Sequence, residues 1–482
     1  MARLLADPPI AEDPSGFDLI IKHGHQDLVQ AVAFNTYGDR CATGSVDGRV
    51  RVFNRHREGV WRHCDNWTAH GGEILDLQWL PPTVYPSLLA SLGVEGRFKL
   101  WAEDPAAVAG RRFASAARSG GGGGGGGGGP GSGSGAGSSR DAPSKAAFEM
   151  RSGSGAPFRS FAMKHDEETR HTYLALLAAD GTLSVFENEQ VENLSNYAHL
   201  DEWDVFDGPG GGAHAAGTGG GGGGATGGAG MGGSSSSQMT SGGPPARGEE
   251  TAFRVRFDPN PEVCYTALRA GVPTDALGLV VAAMDGVKIY RTRDTLKSVL
   301  GLSTPGREFY LAAEIGGHRG LVRDVAWAPG NIRGYDIIAT ACQDGFVRVF
   351  RLDTPVAGGD GRGGWSAAGL KQHAKRASED DAGRQGGLSE GQSGIRAGLH
   401  RSRTHEDRRP SGQPGQIRHV VKEIAKLDSH RTPVWRVGFD DDGQILGSVG
   451  DDGRLMCYRQ TSDGSWAKSS ELSMVKMKMA AP

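Results

Sequence analysis

Nowhere in these 482 residues does an uninterrupted apolar run reach the roughly 20 residues that a membrane-crossing helix needs. The opening stretch, MARLLADPPIAEDP, has no long apolar region of the kind a secretory signal carries. Cysteine is scarce: there are five, an odd number, with no C-x-x-C pair. Four of them (Cys41, Cys264, Cys342, Cys457) fall inside strand-like patterns, which favours reduced core thiols over a disulfide framework and an intracellular protein. Charge of one sign is missing too. A formal net charge of -3 gives no global pull toward nucleic acid or anionic membrane, so a protein partner is expected, with no membrane insertion. The glycine tracts contain no G-x-x-x-x-G-K-[ST], which excludes a P-loop. Gly 78 and a hydrophobic share of 37% mark much of the chain as filler rather than core.

What is present is a short unit written several times. Its last copy is His430 to Tyr458. Trp435, Val437 and Phe439 alternate there with Arg436 and Gly438, the period of a strand with one face buried, so Trp435 is expected in the core. Asp442-Gly443 and Asp452-Gly453 supply tight turns to a second and a third strand. Three short strands cannot enclose a core, so such a unit must stack on copies of itself. In five units an acidic residue stands six positions before a closing aromatic: Asp47 with Phe53, Glu95 with Trp101, Asp180 with Phe186, Asp344 with Phe350, Asp452 with Tyr458. A sixth is one shorter, Asp285 leading to Tyr290. Four units carry an upstream histidine, namely His25, His70, His318 and His430. This arrangement resembles the WD40 repeat, which implies an all-β propeller of six blades. The acidic residue would hold the turn by bonding local backbone, and the aromatic would fill the gap between sheets.

The propeller is read as one domain over 1–482. Fourth, outer strands are expected at 60–64, 111–114, 203–206, 309–313, 417–427 and 465–472. Gly/Ser-rich or polar insertions at 119–155, 208–248 and 356–416 cannot bury enough apolar surface to offset the cost of ordering, and 473–482 reads as a flexible tail. Six units with six outer strands leave one apolar run over: Phe17, Leu19, Ile20 and Ile21 have no place in a closed ring. If the ring is open, they form one strand of an incomplete seventh blade, a seam a partner could fill by strand addition.

Asp440-Asp441-Asp442 and Asp451-Asp452 cluster oxygen ligands, but without the spaced ligands and terminal Glu of a calcium site, so no metal is assigned. The histidines recur once per unit and do not assemble one unique set, so no catalytic residue or cofactor site is assigned either. Asn66-Trp67-Thr68 and Asn193-Leu194-Ser195 match glycosylation acceptors by chance in a chain without a secretory signal.

Four stretches carry a narrower likeness: HGHQDLVQAVAFNTYGDRCATGSVDGRVRVF, VWRHCDNWTAHGGEILDLQW, ADGTLSVFENEQVENLSNY and LDSHRTPVWRVGFDDDGQILGSVGDDG. They resemble the Sec-thirteen homologue nucleoporins, small six-bladed propellers. The resemblance implies a non-enzymatic scaffold of the Y-shaped outer-ring complex of the nuclear pore at the nuclear envelope, supporting nucleocytoplasmic transport and mRNA export. It also implies a place in the SEA complex at the vacuolar membrane, acting on TOR signalling. The implied partner is an α-solenoid nucleoporin that donates a β blade in trans, beside other Y-complex nucleoporins. Glu95 in place of Asp and the shortened turn at Asp285 depart from the pattern. Two alternatives remain: a COPII vesicle-coat propeller, separable by subcellular position, and a substrate-recognition WD40 adaptor, which needs a recruiting domain not found here.

Overall fold

The computed structural model describes residues 21–108, 110–113, 146–207, 250–299, 302–330, 333–355 and 416–473. They form six antiparallel four-stranded sheets. The first blade is β1 (Val29–Phe34), β2 (Arg40–Ser45), β3 (Arg49–Arg55) and β4 (Trp61–Thr68). The second is β5 (Ile74–Trp79), β6 (Leu88–Gly93), β7 (Arg97–Ala102) and β8 (Phe148–Arg151). The third is β9 (Phe158–His165), β10 (Thr172–Ala178), β11 (Thr182–Asn188) and β12 (Ala198–Asp204). The fourth is β13 (Phe253–Phe257), β14 (Gly278–Ala283), β15 (Gly286–Val299) and β16 (Leu302–Ile315), with a short helix α1 (Tyr265–Ala270) between its first two strands. The fifth is β17 (Val322–Trp327), β18 (Asp336–Cys342), β19 (Val347–Asp353) and β20 (Val420–Leu427). The sixth is β21 (Val434–Phe439), β22 (Ile445–Gly450), β23 (Arg454–Gln460) and β24 (Trp466–Ser473).

Each blade is wound from the inside outward, and the middle strands, covered on both faces, are almost continuously apolar: β10 and β18 are buried along their whole length. The core is five layers between successive blades. Ala42, Val50 and Val52 of the first blade meet Trp79, Leu89 and Trp101 of the second. Comparable clusters join blades two to three, three to four, four to five and five to six. The closing aromatics fill these layers, with Trp101, Tyr290 and Tyr458 essentially inaccessible. The Asp-Gly turns bring blades close. At Gly48 the backbone has φ 75, and a Cβ would meet the His70 carbonyl oxygen at 2.5 Å.

Several sequence expectations are corrected. The second blade's outer strand is not Arg111–Ala114 but β8, which lies within 119–155 and shortens that insertion at its far end. Phe113 instead turns inward, stacking on Trp67 at 4.6 Å while its N–H donates to Asp65 Oδ2 at 2.9 Å. The other insertion spans lie outside the described residues except Gln416, and of the tail only Ser473 is described, as the end of β24. Two deletions separate the glycine tract from β8. Removing 120–140, whose composition carries little apolar surface to bury, should leave the thermal midpoint nearly unchanged. Removing 120–155 takes β8 with it and should lower the midpoint clearly.

Two features have no periodicity signal. The fourth blade's outer hairpin, β15 and β16, continues for fourteen residues per strand. A buried charge network also joins blades four and five. Arg291 Nη2 donates to Asp336 Oδ2 at 2.7 Å, and Arg291 Nε donates to His419 Nε2 at 3.0 Å. His419 is therefore the neutral Nδ1–H form, donating to Thr354 Oγ1 at 2.7 Å, with its pKa pushed down to about 3 by burial and by Arg291. Asp258, 3.6 Å from Arg291 Nη1, is pushed up to about 6 by burial and by the Asp336 charge.

Candidate functional site

The recurrent His and acidic residues come together blade by blade. His25 Nδ1 lies 3.2 Å from Asp47 Oδ2, and its Nε2 lies 2.8 Å from Thr43 Oγ1. His70 repeats this with Glu95 Oε1 at 2.6 Å and Ser91 Oγ at 2.7 Å, and Trp101 Nε1 donates to the same Ser91 hydroxyl at 2.8 Å. His430 does so with Asp452 Oδ1 at 3.0 Å and Ser448 Oγ at 2.7 Å. Glu95 thus serves where Asp was expected. Burial pushes His25 and His70 down, against the pull of their carboxylates, so the rings are neutral and donate from Nδ1. The fifth blade differs. His318 holds Thr340 Oγ1 at 3.0 Å, while Asp344 pairs with Arg348 at 2.6 Å. Burial and the Arg348 charge push His318 down to about 4; burial raises Asp344, but hydrogen bonds from Arg348, Cys342 and the Phe346 N–H, with the Arg348 charge, together outweigh it and hold Asp344 at about 2. Asp180 caps its turn by accepting from the Thr182 N–H at 3.0 Å. Asp285 sits in a two-residue turn with Met284 at φ 59, which is why that unit is one residue short. These sets stand in separate blades and tie each turn to its own sheet.

Among the described residues, the series of inter-blade layers is incomplete between the last and first blades. The inner strands touch in succession from β1 through β5, β9, β13 and β17 to β21, and the series does not return from β21 to β1 on that scale. Among the described residues no core cluster joins the sixth blade to the first. One repeat position decides the matter. Leu77 and Trp79 of the second blade are 5% and 8% exposed, and Val325 and Trp327 of the fifth 1% and 4%, each packed on the preceding blade. Their register equivalents in the first blade, Val32 and Phe34, are 56% and 55% exposed. Among the described residues, a wall built like an inter-blade layer stands there without its layer. Of the expected seam residues, Phe17, Leu19 and Ile20 lie outside the described residues; Ile21 is described, half-buried and not in a strand.

Trp435 is corrected. It is 42% exposed, not core. The register shifts between Val434 and Arg436, so Trp435 is the extra residue of a β-bulge and the alternation expected of this strand breaks there. The same shift places Gln30, Leu75 and Arg323 at bulges in other blades. Arg323 lies over the Trp435 ring at 4.3 Å, and the indole N–H donates to Asp451. Trp435→Ala should therefore cost only about 1 kcal/mol, the scale of an exposed cation–π contact. Trp101→Ala, in the buried set above, should cost about 3–5 kcal/mol by chemical denaturation.

The family described as "WD domain, G-beta repeat" matches residues 18–54, 309–351 and 421–459. Nucleoporin SEH1 of Chaetomium thermophilum is 51% identical over the whole chain and 99% of its own length. The chain belongs to the nucleoporin SEH1 family. SEH1 of Saccharomyces cerevisiae is 22% identical over 91% of this chain and 94% of its own. A protein transport protein SEC13 homolog A of Arabidopsis thaliana is 34% identical, but over only 17% of this chain. The repeat matches are offset from the blades. Those at 309–351 and 421–459 begin in β16 and β20, the outer strands of the preceding blades. The first match likewise begins before the first blade, at Asp18 within Phe17–Ile21.

Proposed function

We propose that this SEH1-family propeller is a non-enzymatic scaffold of the nuclear pore's Y-shaped complex, and that its seam accepts a β blade donated by an α-solenoid nucleoporin. The exposure of Val32 and Phe34, at a position buried in the other blades compared above, carries the reading. Six sheets already hold four strands each, so the leftover run Phe17–Ile21 fits one strand of a seventh blade whose remainder comes from the partner. The full-length likeness to SEH1, against a short one to the SEC13 homologue, favours the pore over a vesicle coat. In this reading the protein supports nucleocytoplasmic transport and mRNA export, and through the SEA complex at the vacuolar membrane it acts on TOR signalling. Residues 1–21 are the direct test. A folded chain lacking them should lose most co-purification with the α-solenoid nucleoporin; undiminished binding would sink the shared-blade reading.

A further inference from the structure

The opposite wall of the seam, the outward face of the sixth blade, is built differently from every other such face. Each blade presents one cross-strand pair from its first two strands to the next blade. In blades one, three and five the pair is Ala33–Ala42, Ala162–Ala175 and Ala326–Ala339. Blades two and four carry a longer first member, Gln78 opposite Ala90 and Arg256 opposite Val280. Onto the alanine pairs the following blade packs a large aromatic of its inner strand: Trp79, Phe257 and Phe439. Trp79 shows how such a ring is fixed, since its Nε1–H donates to the Ala33 carbonyl oxygen at 3.2 Å. In the sixth blade the register-equivalent pair is Gly438–Gly447.

Neither glycine is there for its backbone or for crowding among the described residues. Neither has a positive φ. A Cβ built on Gly438 meets nothing within 4 Å, and one on Gly447 meets only Leu455 Cδ1 at 3.7 Å and the Gly438 carbonyl oxygen at 3.8 Å, which is ordinary contact. Glycine inside a strand weakens it, so two facing each other are a cost the isolated sheet gains nothing from. The gain would come from the occupant. Removing both methyl groups lowers the floor relative to the alanine pairs, beside half-buried Leu455 and Cys457 of β23, and Gly438 is exposed.

We infer that Gly438 and Gly447 form a socket for one bulky aromatic side chain on the inner strand of the donated blade, with a tryptophan able to donate its indole N–H to the Gly438 carbonyl as Trp79 does to Ala33. This rests on the shared-blade reading and adds to it the side chain by which the partner is selected and set in register. The full chain carrying Gly447→Val, or the milder Gly438→Ala, is measured alone by thermal unfolding and then for affinity to the purified α-solenoid nucleoporin. The midpoint should hold or rise while affinity for the Gly447→Val chain falls about tenfold or more, the scale of overpacking a fitted contact. Unchanged affinity in both variants overturns the socket. A fall in the isolated chain's midpoint would place a segment of this chain on the glycines and overturn it too. Phe34→Asp on the facing wall separates the two ideas: its loss of binding with unchanged glycine variants removes the socket alone, and no loss in any variant removes the shared blade as well.

Discussion

Asp336→Ala should lower the stability of the isolated protein by about 3–5 kcal/mol, read as a shift of the urea midpoint with unchanged slope. Asp336 is the hub between the fourth and fifth blades. It accepts from Arg291 Nη2, from Trp327 Nε1 at 3.3 Å and from the Cys264 thiol at 3.2 Å. Arg291 is fully inaccessible, so its guanidinium cannot turn to water when the carboxylate goes. Desolvation of that charge, not loss of one hydrogen bond, sets the size of the effect. Asp258, farther away and itself pushed up by burial, replaces Asp336 poorly. Cys264→Ala is the contrast within the same network. It removes one weak donor and strands no charge, so it should cost about 1 kcal/mol or less. Equal losses in the two variants would mean that packing, not charge, holds this layer.

If the proposed shared blade holds, Val32→Asp with Phe34→Asp should reduce affinity for the proposed α-solenoid nucleoporin by about two orders of magnitude or more, the range of two hot-spot positions. It should barely move the thermal midpoint, because both side chains already meet solvent in the isolated chain. The fold supplies its own control. Leu77→Asp makes the same change at the register equivalent of Val32 one blade on, where the side chain is buried in the layer between blades one and two. That variant should be severely destabilised, since it buries an unpaired carboxylate. If the seam pair unfolds the protein as Leu77→Asp does, the wall is already covered by this chain. If it folds and binds normally, the partner docks elsewhere.

The repeat was legible because it is local. Period-two strands, Asp-Gly turns and an acidic residue six positions before an aromatic lie within one short unit, so the sequence alone determined six blades, whereas the bonds of His70 to Glu95 and of His430 to Asp452 came from the structure. Counting outer strands in the sequence also leaves Phe17–Ile21 unassigned, and of these residues only Ile21 is described, outside any strand. What it could not determine depends on a neighbour. A bulge is defined by the partner strand, so Trp435 read as core until β22 fixed the register and turned its indole outward. The second blade's outer strand is separated from β7 by a long glycine tract, and Phe148–Arg151 became recognisable only by pairing with it. Arg291, Asp336 and His419 lie far apart in sequence with no periodic signal, and only the packing of two blades brings them together. The exposure of Phe34 was likewise unreadable, because its local pattern matches that of Trp79. Burial belongs to the pair of blades, and only the tertiary structure decides which of two such side chains is covered.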